Sequence, residues 1–348
     1  MALEPSMNTG PIISVVVCTH NRAALLRQAL DSLAAQTLAR TKYEVIVVNN
    51  GSTDETPAAV REYQADQRRC SIRLVDEAVL GLGYARNRGW QASRGEYVAF
   101  MDDDARADAQ WLERALDRFE KSRPAPVAVG GQIRPWYLSP KPDWYKDEYE
   151  VRTWGQGARH LSAGESFSGS NMMFTKNILQ QLGGFDVSVG MRGTRVSMGE
   201  ETVLFNKIWD RLGEQAILLY APELIVYHAV SSRKMTPRYH LSRWFVAGQV
   251  ASRLDAPTSF RDRISRVRAG VTAIRGLMRS ALDQRKGFTD YRWWMVEQLG
   301  PVALETGRVL GWMGLHVPVR RLEFSDQQLH GSTTAHDHSS RAVRWSTR

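Results

Sequence analysis

Between Ile12 and Val129 the chain alternates short apolar runs with stretches of helical period, and no other feature limits its fold so much. "IISVVVC" (12–18) is a continuous run, as expected of a parallel strand covered on both faces. Next comes "NRAALLRQALDSLAAQT", where Leu25, Leu26, Ala29, Leu30 and Leu33 recur at helical spacing. "YEVIVV" (43–48), "SIRLV" (71–75) and "YVAFM" (97–101) repeat the strand signal. Between them lie "GSTDETPAAVREYQ", with Thr53 or Asp54 as N-cap and Pro57 in the first turn, and a helix near 83–93. Repeated strand–helix units of this size predict an α/β fold with a parallel sheet and right-handed crossovers.

After Gly131 the pattern breaks. "RPWYLSPKPDWYKDEYEVRTWGQG" (134–157) has no sustained period and reads as a long functional loop or lid. "SFSGSNMMFT" (166–175) and "AILLYAPELIVYH" (216–228) read as strands, with a helix near 200–212 between them. Residues 325–348 are polar and are expected to be disordered, so His330, His336 and His338 there point to a solvated tail before a metal site. The expected divisions are 11–230 (11–130 and 131–230 as its halves), 231–324 as a basic helical extension, and the tail. The two cysteines, Cys18 and Cys70, are too few for a disulfide framework and fit a reducing cytoplasm. "MALEPSMNTGPII" lacks the basic-then-apolar order of a signal peptide, and no apolar run approaches the ~20 residues that span a bilayer.

In open α/β sheets ligands gather at the carboxyl ends of the strands. Here those ends read "CTHNR", "NNGSTD" and "DDD". Each alone has a local explanation, as a helix cap or a turn. Together they describe one crevice lined with hydrogen-bonding groups. Asp102 and Asp104 are two apart, so on an extended segment they face the same way, the minimum for a hard divalent cation such as Mg²⁺ or Mn²⁺. A helix dipole explains one acidic residue, not three at a strand end. "GLGYARNRG" (81–89) has Arg86 where a dinucleotide fingerprint needs its third glycine, and no phosphate-binding G-x-x-x-x-G-K-[ST] loop occurs. Arg86 and Asn87 at a helix start suit a phosphate or the aspartates. "MGEETVLFNKIWDRLG" (198–213) opens a helix with Glu200 and Glu201, which serve either its dipole or proton transfer.

The succession "SVVVCTHNR … VIVVNNGSTDET … GYARNRG … GEYVAFMDDDA … GSNMMFTK … LGGFD … GEETVLFNKIWDRLG … VYH" resembles the family 2 glycosyltransferases of GT-A fold, over roughly 11–250. The resemblance implies a Rossmann-like, mostly parallel sheet flanked by helices, and an inverting, metal-dependent transfer from a nucleotide sugar. It implies Asp104 as the direct ligand of a Mn²⁺ or Mg²⁺ ion, with Asp102 beside it. Glu201 takes the position of the catalytic base, with Glu200 preceding it. His228 resembles a histidine that meets the metal or diphosphate in some members; a core histidine is the alternative. The donor would lie along Cys18, Thr19, Asn21, Arg22, Asn50, Ser52, Arg86, Asn87, Asp102 and Asp103. Asn49–Asn50 stands where an acidic residue commonly contacts the base, and an amide still pairs with an imide, so a UDP-sugar is favoured. The base is Glu where Asp is commoner. Trp136, Trp144 and Trp154 either stack on an acceptor sugar or pack a lid. A nucleotide-sugar-binding or interaction protein without turnover is the other reading.

The net charge of +9 is uneven: residues 1–230 hold 26 Lys and Arg against 28 Asp and Glu, while 231–348 hold 20 against 9. In "FRDRISRVRAGVTAIRGLMRSALDQRK" (260–286) Phe260, Ile264, Val267, Val271, Ile274 and Met278 form one apolar stripe among arginines. Such a helix suits the anionic inner face of a membrane, where a lipid-linked saccharide would be the acceptor, or packs its stripe on the catalytic domain. No nucleic-acid-binding module is recognisable, so nucleic acid is not an expected partner.

Overall fold

A computed structural model describes residues 10–66, 70–190 and 199–319. The 325–348 tail and its histidines lie outside the described residues, as does most of the N-terminal stretch. The strands are β1 (Ile13–Thr19), β2 (Tyr43–Asn49), β3 (Ser71–Asp76), β4 (Tyr97–Asp102), β5 (Ala105–Ala107), β6 (Ala128–Tyr137), β7 (Arg159–His160), β8 (Met172–Thr175) and β9 (Leu218–Val230). The helices are α1 (Ala23–Ala34), α2 (Thr56–Ala65), α3 (Leu82–Ala92), α4 (Trp111–Lys121), α5 (Lys176–Leu182), α6 (Glu200–Leu212), α7 (Pro237–Leu254), α8 (Phe260–Gln284) and α9 (Tyr291–Trp312).

One sheet runs β3-β2-β1-β4-β8-β6-β9-β5, with β7 on β9. Its first four strands are parallel, β8 is antiparallel to both neighbours, and β6 and β9 are parallel. Both faces are covered, which is why β1 is buried along almost its whole length and apolar apart from Ser14, whose hydroxyl donates to Glu44 at 2.8 Å, and the terminal Thr19. Ile13, Val15 and Val17 pack beneath α1, α2 and α4. Val16, between them, packs on the other face with Ala85 and Trp90 of α3 and Phe205 of α6.

β9 is the strand that brings His228 to the aspartates. Its pairing with β6 slips between Gly130 and Gln132, so that Gly130 faces Tyr220 but Gln132 faces Ile225. A Cβ on Gly131 would sit 2.0 Å from the Leu224 carbonyl oxygen, so only glycine permits this bulge. Beyond it β9 leaves β7 and pairs antiparallel with β5, setting His228 opposite Ala105. The chain thereby returns to the carboxylates it left more than a hundred residues earlier.

Three expectations change. β6 continues through Trp136 and Tyr137, so the aromatic loop starts after a strand, and only Met172–Thr175 of the 166–175 segment is strand. α2 begins at Thr56, and Asp54 instead joins two helix starts: its carboxylate accepts from Thr56 N at 3.0 Å and from Ala23 N at 3.2 Å. The α8 stripe splits lengthwise. Val267, Val271 and Ile274 turn towards α9, while Phe260, Ile264 and Met278 stay exposed, because α8 packs chiefly on α9 and not on the sheet.

Candidate functional site

The loops after β1 and β2 are locked together before any ligand is considered. Asn21, at φ 53°, accepts on its side-chain oxygen from Thr53 N at 2.7 Å, and its own N–H donates to Ser52 Oγ at 3.1 Å. The Asn50 amide is fully used: it donates to the carbonyls of Glu77 (3.0 Å) and Val79 (2.8 Å) and accepts from Gly81 N (2.8 Å). Asn49 donates to Asp76 at 2.8 Å and accepts from Ser52 N at 3.0 Å. Asn50 therefore has no free amide to present to a base, while Asn21 spends its side-chain oxygen and Ser52 its hydroxyl on holding the two loops together. Asp76, register-paired with Asn49 at the next strand end, is the exposed carboxylate there. Asn87 is likewise spent, bonding the backbone of Phe185 in both directions at 2.8 Å.

Each carboxylate of the Asp102–Asp104 run has its own cation. Asp102, at the end of β4, lies 3.5 Å from Arg86. Asp103 is buried and receives Arg22 at 2.8 Å, with Thr19 beside it. Burial pushes its carboxyl up to about 6, reinforced by the Asp104 charge and opposed by Arg22. Asp104 is also buried, yet burial is outweighed by His228, Arg22 and Lys234, which hold its carboxyl well below the usual range. Its oxygens lie 3.2 Å from His228 Nε2, 3.2 Å from Arg22 and 3.6 Å from Lys234. Cys18, half-buried beside them, has its thiol pushed up to about 12 by burial and is a neutral wall of the crevice.

Two carboxylate oxygens of Asp102 and Asp104 and a ring nitrogen of His228 lie within 4.8 Å of one another. Hard oxygens with one imidazole suit Mn²⁺ or Mg²⁺, so the donor set fits the expected ion. Lys234 was not expected here. It comes six residues after His228, its ammonium 3.3 Å from His228 Nδ1 and 2.6 Å from the Ala229 carbonyl. In the sequence it is one cation among the many of the last third.

Arg86 connects the two acidic elements. Its buried guanidinium lies 3.1 Å from Glu200 and 3.5 Å from Asp102, and donates to the Gly169 carbonyl at 3.3 Å. A Cβ on Gly169 would come within 2.5 Å of that guanidinium. Glu200 is 4% exposed, and its second oxygen has no partner among the described residues. Burial pushes its carboxyl up to about 7, helped by the Glu201 charge and opposed by Arg86. Glu201 follows in the first turn of α6, half-buried, with its charge felt at both Arg86 and Glu200.

The tryptophans divide. Trp144 is 4% exposed and sits in a cluster with Tyr145, Val230, Met235 and Val296, so it packs the lid and offers no sugar platform. Trp136 has the Arg106 guanidinium 3.5 Å above its ring. Trp154 is 38% exposed, its indole N–H held by the Ser166 carbonyl at 3.0 Å.

Comparison with known proteins bears on the family and the fold. The chain is 28% identical over 220 residues to a glucosyl-dolichyl phosphate glucuronosyltransferase of Haloferax volcanii, covering 59% of this chain and 66% of that protein. It is 30% identical over 178 residues to glycosyltransferase AglE of the same organism, covering 51% and 57%. The chain thus spans less than two thirds of the length of these relatives. Its fold matches that of a mannosyltransferase from Pyrobaculum calidifontis, solved with GDP-Man and Mn²⁺, with a TM-score of 0.57 at 21% identity over 87% of this chain and 88% of that one. The profile of glycosyl transferase family 2 matches residues 14–198, more than half of the sequence, and the chain belongs to that family.

Proposed function

We propose that this protein is an inverting glycosyltransferase that moves a sugar from a nucleotide sugar to a hydroxyl of a saccharide or lipid-linked saccharide. The observation that carries the reading is Arg86, one buried guanidinium touching both Asp102 and Glu200. It draws Asp102, read here as a donor-side carboxylate, and the acidic start of α6 to one group, and transfer to a hydroxyl needs both kinds of carboxylate close together. Asp102, Asp104 and His228 would hold a Mn²⁺ or Mg²⁺ ion, which when bound neutralises charge on a departing nucleoside diphosphate. Arg22 and Lys234, already against Asp104, add fixed positive charge beside the same diphosphate.

The bond from the anomeric carbon to phosphate oxygen breaks, its electron pair leaving with the nucleotide, while the carbon gains oxocarbenium character. The acceptor oxygen bonds to the opposite face, and Glu201 takes its proton. Glu200 is the positioning residue, tied to Arg86 and leaving Glu201 at the crevice. With Asn49 and Asn50 engaged by neighbouring loops, Asp76 is the acceptor for a base N–H, a group that uracil and guanine both have. A UDP-sugar is favoured, with Trp154 as the open ring on the acceptor side. The name of one Haloferax relative, a glucosyl-dolichyl phosphate glucuronosyltransferase, supports a lipid-linked acceptor. On that reading the reaction belongs to glycolipid or polysaccharide assembly at the cytoplasmic face of a membrane. None of the described helices is long and apolar enough to cross a bilayer.

The intact carboxylates at 102, 104 and 201 speak against a binding protein without turnover. A thermal-shift screen of nucleotide sugars with and without Mn²⁺ tests the reading. A ligand at 100 times its Kd adds about 2.7 kcal/mol of stability. We expect a UDP-sugar with Mn²⁺ to raise Tm and to be slowly hydrolysed; stabilisation by no nucleotide sugar under either condition would overturn the proposal.

A further inference from the structure

α8 spans Phe260–Gln284, about 37 Å at 1.5 Å per residue, and of its 25 residues only Gly270 and Ala281 are buried. Both lie against α9, Gly270 so closely that a Cβ would reach Val309 at 2.3 Å. The rest of the circumference is ordered in a way that its packing does not require. At 3.6 residues per turn, Phe260, Ile264, Met278 and Leu282 fall within about 40° of one another. They are 75%, 37%, 36% and 56% exposed. Arg261, Arg268, Arg275 and Arg279 occupy the adjoining sector, also within about 40°, on the side away from α9. All four are exposed, and none forms an ion pair among the described residues. Of the helix's two carboxylates, Asp262 is held by Arg266 at 2.8 Å, and Asp283 borders the arginine row on the side away from the apolar ridge.

An apolar ridge beside a parallel row of unpaired arginines, on a helix attached by one edge, has two complementary halves. The ridge fits hydrocarbon at shallow depth and the row fits the phosphates directly above it. A protein partner would desolvate four guanidiniums beside which this chain places only Asp283, and would have to supply the other carboxylates itself. A nucleic acid would meet the arginines but leave the ridge in water. Leu254, 43% exposed, and Leu315, 51% exposed, are further open apolar residues close in sequence to Asp255 and Trp312, which are joined by a bond from the Trp312 indole to the Asp255 carbonyl.

We infer that the outer face of α8 is a docking surface for an anionic lipid bilayer, on which the protein lies without crossing. The inference rests on the proposed lipid-linked acceptor only for its purpose. Its measurement needs neither donor nor metal.

The full-length protein is sedimented with phosphatidylcholine vesicles and with vesicles carrying 30% phosphatidylglycerol, at low and high salt. We expect binding to the anionic vesicles alone, weakened by salt. The quadruple variant Arg261→Gln, Arg268→Gln, Arg275→Gln, Arg279→Gln should lose about fivefold for each arginine, more than about a hundredfold together. Phe260→Ser with Leu282→Ser should weaken binding while leaving its salt dependence in place. Unchanged thermal unfolding of each variant separates lost docking from lost fold, and Glu201→Gln should bind vesicles like the parent. No binding to either vesicle, equal binding to both, undiminished binding by the quadruple variant, or capture by RNA in place of vesicles would overturn the inference. Each would leave the transfer reaction standing.

Discussion

Replacing Arg86 by methionine tests the connection on which the site depends. The side chains of Arg86 and Glu200 are 4% and 5% exposed and lie 3.1 Å apart. At an effective dielectric of ~20 such charges attract by about 5 kcal/mol before desolvation is counted. Removing one partner of a buried pair costs about 3–5 kcal/mol, because the other is left charged in a poor solvent. Glu200 has an escape: its carboxyl already sits at about 7, with Arg86 the group holding it down. Without Arg86 it rises further and binds a proton. Arg86→Met should therefore lose at least about 3 kcal/mol at pH 8. At pH 5.5 the loss should shrink towards the ~1–2 kcal/mol of the hydrogen bonds to Asp102 and Gly169. Adding Glu200→Leu removes the stranded charge and should recover at least half of the loss at pH 8. Urea unfolding at both pH values, followed by circular dichroism, reads this as a shift of midpoint at constant slope. Equal losses at the two pH values, or a double variant no more stable than Arg86→Met, would show that the pair does not hold the site together.

Asp104→Asn should abolish measurable Mn²⁺ binding by calorimetry, and chelation should silence the parent enzyme until Mn²⁺ or Mg²⁺ is restored. Glu201→Gln should lower turnover by about 10²–10⁴-fold with the donor-induced shift in Tm retained, the mark of lost proton transfer and not lost binding. Because the Glu200 carboxyl is raised from 4.5 to about 7, its contribution to stability is complete below pH 4.5 and lost as pH rises through about 7. Glu200→Gln should flatten the fall in melting temperature across that window. Gly131→Ala should cost about 1–3 kcal/mol or more, since the new Cβ meets the backbone at Leu224 and Ala221 and no side chain can give way.

The first half of the sheet was legible because β1, β2 and β4 are buried on both faces and so carry unbroken apolar runs. Strand ends pointed to Asp102 and Asp104, whereas it was the family resemblance that implied Glu200 and Glu201 beside them. What the sequence did not reveal is where side-chain valences go. Asn50 reads like a ligand contact, yet its amide closes the 77–81 turn. Asn87 reads the same way and holds the 184–186 segment. Trp144 and Trp154 look alike in the aromatic loop, and only tertiary packing buries one and leaves the other open. Lys234 had no local signal at all, because its place beside Asp104 depends on the return of β9 past a bulge. On α8 the period was readable, but which part of the stripe met α9 was not.

The aromatic cluster beneath the 138–157 loop also governs what can be cut and exchanged. Trp144 and Tyr145 pack on Val296 of α9, Tyr145 bonds His240 of α7 at 3.1 Å, and the Trp293 indole donates to the Trp144 carbonyl. A chimera that grafts another relative's C-terminal helices at residue 231 would strip this loop of its seat and remove Lys234 from Asp104. Loop and helices must travel as one cassette, so a shortened chain ending at Val230 is a poor substitute for the whole.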